Sequence, residues 1–430
     1  MCQSYIHIKV QYKKYLFSGF FYCCLLSASN VSALSLQQAE QLAVKEDPSI
    51  ESYRATSRSY VEESVADNTL PDPRLLLGAV NVPVDTFALD QEPMTQLKVG
   101  IVQNFPRGDT LALKQQQSQF LSRSASAMAD DTKRKTISEV RETYLNLYYE
   151  IAAYEIIIET RSLFSELAKI TESSYASGRV NQQDVLLADL ELSRLDDRAT
   201  KIQTQEETDR AKLAQWIGEA AWTEISTEFP VLPGLPENVD LNSVIPQHPL
   251  IRAESAKVEA SKKMTEMARQ EYKPGWSATL DYGYRSGNNP DGTERADFAS
   301  ALVSLDIPLF TGNRQDKTVA ANEEKISSAR YAKDDKLRTL KQLYDQNQHL
   351  WQRLGERKQL YETRLLTSAK NNSRAALNAY QSGISEFNTL MRAQITELDV
   401  RLENLRIRVD RAIAQSKILY VIGDADNENY

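Results

Sequence analysis

The sequence has 430 residues, with 51 basic and 59 acidic side chains and a formal net charge of −8. That length admits two or three ordinary domains, and the acidity argues against a nucleic-acid partner. All three cysteines (Cys2, Cys23, Cys24) lie at the N-terminus, so the rest of the chain has no thiol for a disulfide, a metal site or a nucleophile.

In chain order, Lys9, Lys13 and Lys14 precede an apolar stretch from Tyr15 to Leu26, and Val31-Ser32-Ala33 resembles an A-x-A cleavage site. This pattern predicts a secretory signal peptide over 1–33. The polar lead is long for a signal, which leaves room for an internal start. A membrane anchor is the weaker alternative, because a spanning helix needs about 20 apolar residues. Cleavage after Ala33 would remove three of the 51 basic residues and none of the 59 acidic ones, giving a mature charge of −11. Phe20-Phe21-Tyr22, before Cys23, does not resemble a lipobox.

The remaining chain is written twice. Asp47-Pro48-Ser49-Ile50 recurs as His248-Pro249-Leu250-Ile251, and Pro73 as Pro274. Phe105-Pro106-Arg107-Gly108 recurs as Phe310-Thr311-Gly312, and Tyr175-Ala176-Ser177-Gly178 as Tyr380-Gln381-Ser382-Gly383. Trp216-Ile217-Gly218 returns as Val421-Ile422-Gly423. Five marks at one nearly constant offset predict a structural duplication: residues 34–229, a proline-rich linker over 230–248, and residues 249–430.

Each copy opens on an amphipathic segment, 49–69 or 250–272, that ends near prolines. A strand pair follows, over 74–106 or 275–309. None of the 14 prolines falls between Arg107 and Phe229 or between Leu309 and Tyr430. Those runs predict long helices over 109–175 and 312–379, each about 100 Å long at 1.5 Å per residue. Return helices follow over 181–217 and 385–422. Ile137, Val140, Tyr144, Leu147, Ile151, Tyr154 and Ile158 step by three and four, as do Leu337, Leu340, Tyr344, Asn347, Trp351, Leu354, Lys358, Tyr361 and Leu365. Leu398, Leu402, Leu405, Val409 and Ala412 continue the pattern in the return arm. Such spacing predicts coiled-coil packing, with Tyr144, Tyr154 and Trp351 as core side chains.

The strand runs alternate. Trp276, Ala278, Leu280, Tyr282 and Tyr284 fall on one face, and Ser277, Thr279, Asp281, Gly283 and Arg285 on the other. Leu97, Val99 and Ile101, and then Ala301, Val303, Leu305, Ile307 and Leu309, form further apolar faces. Period two over about ten residues fits transmembrane strands with a lipid face and a lumen face. The polar stretches 86–93 and 288–295 then become extracellular loops. Four strands cannot close a barrel, which needs about eight, so several chains must combine. Three would supply twelve strands, and a dimer also fits the arithmetic.

At this point the sequence resembles the TolC-like outer-membrane efflux family over essentially the whole mature chain. The matching features are Leu36-Gln37-Gln38-Ala39-Glu40-Gln41-Leu42-Ala43 with Asp47-Pro48, both Tyr-x-Ser-Gly turns, and Ile217-Gly218 with Ile422-Gly423. The resemblance implies a mainly α protein with a membrane β-barrel: a duplicated β-β-α-α protomer, a homotrimer with a twelve-stranded barrel, and a coiled-coil periplasmic tunnel. It also implies outer-membrane lipid as surroundings, with a periplasmic adaptor (membrane fusion) protein and an inner-membrane pump as partners. Leu70-Pro71-Asp72-Pro73, Asn81-Val82-Pro83-Val84-Asp85, Glu92-Pro93-Met94-Thr95 and Phe105-Pro106-Arg107-Gly108 resemble the heavy-metal-cation branch. In that branch the pump is of the resistance-nodulation-division class.

No catalytic, cofactor or metal site is expected. No phosphate loop or serine–histidine pairing occurs, and His248 and His349 are far apart in sequence. Asp85, Asp90 and Glu92 read as loop solvation. By the resemblance, Gly178, Arg179, Val180 and Asn181, with Gly383, Ile384 and Ser385, form periplasmic tips that contact the adaptor, although the glycines also serve simply to reverse the chain. Well-known relatives carry aspartates six and nine residues after the second-copy glycine, where this sequence has Thr389 and Arg392; Ser385 stands where they have arginine. Asp184, Tyr380 and Arg392 are therefore the expected periplasmic gate, with surface charge at a helix tip as the alternative. Three functions follow: an exit duct for cations, the same duct for drugs or for type I protein secretion, or a secreted coiled-coil scaffold without a pore.

Overall fold

A computed structural model describes residues 33–45, 47–236 and 238–424. Apart from Ala33, the signal-peptide reading falls outside the described residues. The described residues from Leu34 to Asp424 form one compact unit. It opens on two helices, α1 (Leu36–Lys45) and α2 (Pro48–Asp67), followed by strands β1 (Arg74–Val80) and β2 (Gln96–Phe105). The first proline-free run holds α3 (Thr110–Ala176) and α4 (Gln182–Ile217). The second copy has α6 (Pro249–Gln270), β3 (Gly275–Tyr284), β4 (Phe298–Asp306), α7 (Gln315–Leu360), α8 (Leu366–Gln381) and α9 (Phe387–Ile422).

Three features depart from the sequence reading. The segment 230–248 is more than a linker: it contains α5 (Leu241–Val244) and a 3-10 turn (Ile245–Gln247), and it buries Leu232 and Ile245 in the core. The helix expected over 312–379 starts at Gln315 and carries a π-turn at Tyr361–Leu365 between α7 and α8. On α3 the seam slips. Ile137, Val140, Tyr144 and Leu147 are buried, but the next buried positions are Glu150, Ala153 and Ile157, and Ile158 is 38% exposed. A three-residue step in place of a four-residue one overwinds a coiled coil locally, moving Ile158 off the seam.

Both repeats start their first long helix in the same way, with proline in the first turn and a side-chain cap before it. Asp47 accepts from the backbone N–H of Ser49 at 2.7 Å and Ile50 at 3.4 Å. His248 Nδ1 accepts from Leu250 N–H at 3.2 Å while Nε2 lies 3.1 Å from the carbonyl of Tyr420. The helices then form one layer. Beside the strands, α2 packs on α3, α3 on α6 and α6 on α7; further along, α4 packs on α3, α3 on α9, and α9 on α7 and α8. The main core joins α1, α3, α4 and α9 through Leu36, Ala39, Val140, Leu147, Leu213 and Val409. Tyr144 is fully buried within it and donates to the carbonyl of Leu34 at 2.7 Å.

Candidate functional site

The four strands form one antiparallel sheet in the order β1-β2-β3-β4. Its register aligns the alternating residues into two chemically distinct faces. Leu77 pairs with Val99, Val99 with Tyr282 and Tyr282 with Ala299; Leu75, Ile101, Leu280 and Ala301 form the next such row. This face is apolar and bare: Leu75, Leu77, Val99, Ile101, Leu280, Tyr282, Val303 and Leu305 are all exposed. Phe105 and Trp276 stack at 3.8 Å at one end of it, and Tyr282 and Tyr284 lie at the other. At 3.3–3.4 Å per residue the two aromatic groups stand about 20–27 Å apart along the strand, comparable to the roughly 25 Å apolar band between the aromatic girdles of membrane barrels.

The opposite face is mixed, with Lys98, Ser277, Thr279, Asp281 and Ser300 beside the exposed Leu76, Val80 and Leu302. Lys98 Nζ lies 2.9 Å from Asp281 across a diagonal of β2 and β3. Glycines sit directly opposite both residues, Gly100 facing Asp281 and Gly283 facing Lys98. A Cβ on Gly100 would come within 2.8 Å of the Asp281 Cβ, so the pair needs the bare backbone.

Beyond the strands, the loops of the two hairpins are tied together. Arg295 Nη1 donates to the carbonyls of Asp90 (3.1 Å), Glu92 (3.2 Å) and Ser286 (3.1 Å). Arg285 donates to the carbonyls of Pro93 (3.0 Å) and Ala296 (2.6 Å), its guanidinium 4.0 Å from the Phe298 ring centre. Sequence reading missed this role. Nothing in the alternation distinguishes an arginine that reaches a second loop from one that meets water.

The sheet has two free edges, β1 and β4, because each pairs on one side only. The helical layer ends on the matching elements: α2 and α4 follow from the β1 side, α7 and α8 from the β4 side. Val61 and Val65 on α2, Leu186 and Leu190 on α4, and Tyr331, Leu350 and Leu360 on α7 are exposed at these edges.

At the far end of the helices the two tips are near copies. Gly178 N–H donates to Tyr175 O at 2.8 Å and Arg179 N–H to Ser174 O at 2.9 Å; Gly383 N–H donates to Tyr380 O at 3.0 Å and Ile384 N–H to Ala379 O at 2.9 Å. These are paired Schellman closures. Both glycines have left-handed φ, 71° and 69°, which costs glycine nothing. Gly178, Arg179 and Asn181 are exposed, as are Gly383 and Ile384, the last at 83%. Val180 and Ser385 are half-buried. The bare Ile384 is notable because the residue at its place in the motif commonly packs back on the helix.

The three residues expected to form a gate are not joined within the chain. Asp184 lies in the first turn of α4, where a carboxylate suits the helix N-terminus. The Tyr380 ring turns toward Phe387, with centres 5.6 Å apart, and belongs to the tip core with Leu390 and Met391. Arg392 is exposed. Their side chains make no hydrogen bond or ion pair to one another. Among the described residues there is no cluster of three or more His, Cys, Asp or Glu able to hold a metal, and no helix long and apolar enough to cross a membrane.

Residues 241–424 match the family model described as outer membrane efflux protein. Solved structures extend the likeness over nearly the whole chain. CusC, whose crystal structures describe folding and transmembrane channel formation, is 14% identical, with a TM-score of 0.76 over 91% of this chain and 92% of that one. The outer-membrane channel OprN is 16% identical, also at 0.76, over 91% and 90%.

The fold is that of a TolC-like outer-membrane channel.

The CmeC outer membrane channel of Campylobacter jejuni shares that fold at 13% identity, with a TM-score of 0.77 over 90% of this chain and 85% of that one. No curated protein sequence matches this chain.

Proposed function

We propose that the chain is one of three protomers of an outer-membrane exit duct, which conducts its cargo passively from a pump and adaptor to the cell exterior. The observation that carries this reading is the bare apolar face of a four-stranded sheet whose two edges are both unpaired. Lipid supplies no hydrogen bonds, so an open edge cannot persist there, and four strands are too few to close. Three copies, joined β1 to β4, give twelve strands and bring the α2 and α4 edge of one copy against the α7 and α8 edge of the next. The face of Lys98 and Asp281 then lines the lumen, and the tied loops stand outside the cell. The scaffold alternative has no use for a bare lipid-sized face. Purified protein should run as a trimer in detergent and conduct ions in planar bilayers; a monomer without conductance would refute the duct.

The tips around Gly178 and Gly383 are the proposed contact for a periplasmic adaptor, with a resistance-nodulation-division pump beyond it. The gate is proposed to form between protomers from Asp184, Tyr380 and Arg392. The double change Asp184→Ala with Tyr380→Phe should raise closed-state conductance several-fold, and an unchanged conductance removes the assignment. Heavy-metal cations are the proposed cargo, supported by the residues Leu70–Pro73 and Asn81–Asp85 of the first hairpin. Deleting the gene should lower tolerance to zinc, copper or cobalt; unchanged metal tolerance with lost drug tolerance would assign the duct to drugs instead.

A further inference from the structure

A cavity of about 230 Å³ opens beside the segment that joins the two repeats, away from the sheet and the tips. Phe229, Pro230 and Leu232 of that segment form one wall, and Lys358 of α7 with Arg408 and Arg411 of α9 supply the charge. No carboxylate lines it. Lys358 is 3.8 Å from Glu362, one turn further along the same helical run and outside the cavity. Among the described residues, Arg408 and Arg411 form neither an ion pair nor a hydrogen bond. Aromatic faces hold them instead: Arg408 Cζ lies 4.5 Å from the centre of the Phe229 ring and Arg411 Cζ 4.1 Å from that of Trp351. A ring face attracts a guanidinium without using its N–H groups, so the donors of both arginines stay unspent. Burial holds the Arg411 guanidinium below its usual range. Gly355 makes the close approach possible, because a Cβ there would sit 3.3 Å from Arg411 Nε.

We propose that this cavity binds a small amphipathic carboxylate, its oxyanion on Arg408 and Arg411 and its apolar body against Phe229, Pro230 and Leu232. Planar guanidinium groups match a planar carboxylate in two-point pairing. The apolar wall favours an acid with a hydrocarbon ring over a bare inorganic anion, and the volume lies below the roughly 300 Å³ at which drug-sized sites begin. Such a ligand bridges α7, α9 and the inter-repeat segment.

The test uses the full chain in a neutral detergent, with 4-fluorobenzoate observed by ¹⁹F NMR. Saturable line broadening is expected for the acid and none for 4-fluorobenzamide, which has the same shape without the charge. Arg408 is half-buried and unbonded, so Arg408→Gln keeps the fold and should weaken binding at least tenfold, while Arg408→Lys should restore part of it. Phe229→Leu should weaken the acid but leave inorganic phosphate unaffected. Equal binding of the amide, unchanged binding by Arg408→Gln, or phosphate displacing the acid at equal concentration would each overturn the proposal.

Discussion

At equal distance along the chain from the two tip glycines, the first repeat buries an acid and the second holds a half-buried base. Glu150 and Glu206 occupy the places that Gly355 and Arg411 take in the second copy. Around Glu150, which is 5% exposed, lie Asp209 and Glu206 of α4 and the cation Arg406 of α9, already bonded to Asp410 and to Asn146 Oδ1. Around Arg411 lie Trp351, Arg408 and Lys358. One backbone thus tolerates opposite charges out of full contact with water, because each is relieved differently. A carboxyl can take up a proton; a guanidinium cannot lose one and rests on an aromatic face instead. The caps of α2 and α6 show the same freedom. Asp47 also accepts from Thr136 Oγ1 at 3.0 Å, whereas His248 is held down to about pKa 4 by burial and by nearby Arg134. It therefore caps α6 as a neutral ring.

The largest expected effect falls on the charge that both repeats share. Arg141 of α3, 3% exposed, lies 2.7 Å from Glu40 of α1 and 2.7 Å from Asp424, so it ties the start of the first copy to the end of the second. Arg141→Met should destabilise the fold by about 3–5 kcal/mol, because Glu40 and Asp424 both lose this partner. Adding Glu40→Met should recover part of that loss in thermal melts, with Asp424 still in place. No recovery would mean that packing, rather than charge, is at stake.

The next effect tests the acidic hairpin. Burial, with Asp209 adding repulsion, pushes Glu150 from its ordinary 4.5 up to about 7. The folded chain holds this proton more tightly than the unfolded one. The resulting stability is complete below pH 4.5 and is lost as pH rises through 7, by at most about 3 kcal/mol. Glu150→Gln should remove this component, so the melting temperature of the variant should gain on the native protein between pH 4.5 and 8. A constant difference would show that Glu150 titrates normally. The smallest effect compares the caps: Asp47→Ala and His248→Ala should each cost about 1 kcal/mol through the cap alone. Because the folded ring stays neutral down to about pH 4 while the unfolded one takes up a proton near 6.5, the His248 contribution to native stability should rise from pH 4 through 6.5 and level off above that.

Much of the architecture is legible in the sequence. The spacing of proline and glycine marks where α3, α4, α7 and α9 run, since proline breaks helices and a left-handed turn prefers glycine. The strict alternation of Trp276 to Tyr284 separates the two faces of β3. The seam slip after Leu147 and the π-turn at Tyr361–Leu365 were hidden, because both depend on how neighbouring helices wind around each other. Tyr380 fits a gate residue by its place in the sequence, yet its ring also packs on Phe387; a tyrosine beside a turn looks the same in either role.

What the sequence determined by itself is therefore the local grammar: two copies, long helices, alternating strands and glycine turns, each fixed by backbone preference and periodicity. Only the tertiary structure decided which charges meet. Arg141 reaches Glu40 and Asp424, Arg295 reaches the other hairpin loop, and Arg408 and Arg411 converge without an acid because residues distant in the chain are brought together. Electrostatic relief depends on those distances and on burial, and neither is written in the spacing of residues along one strand or helix.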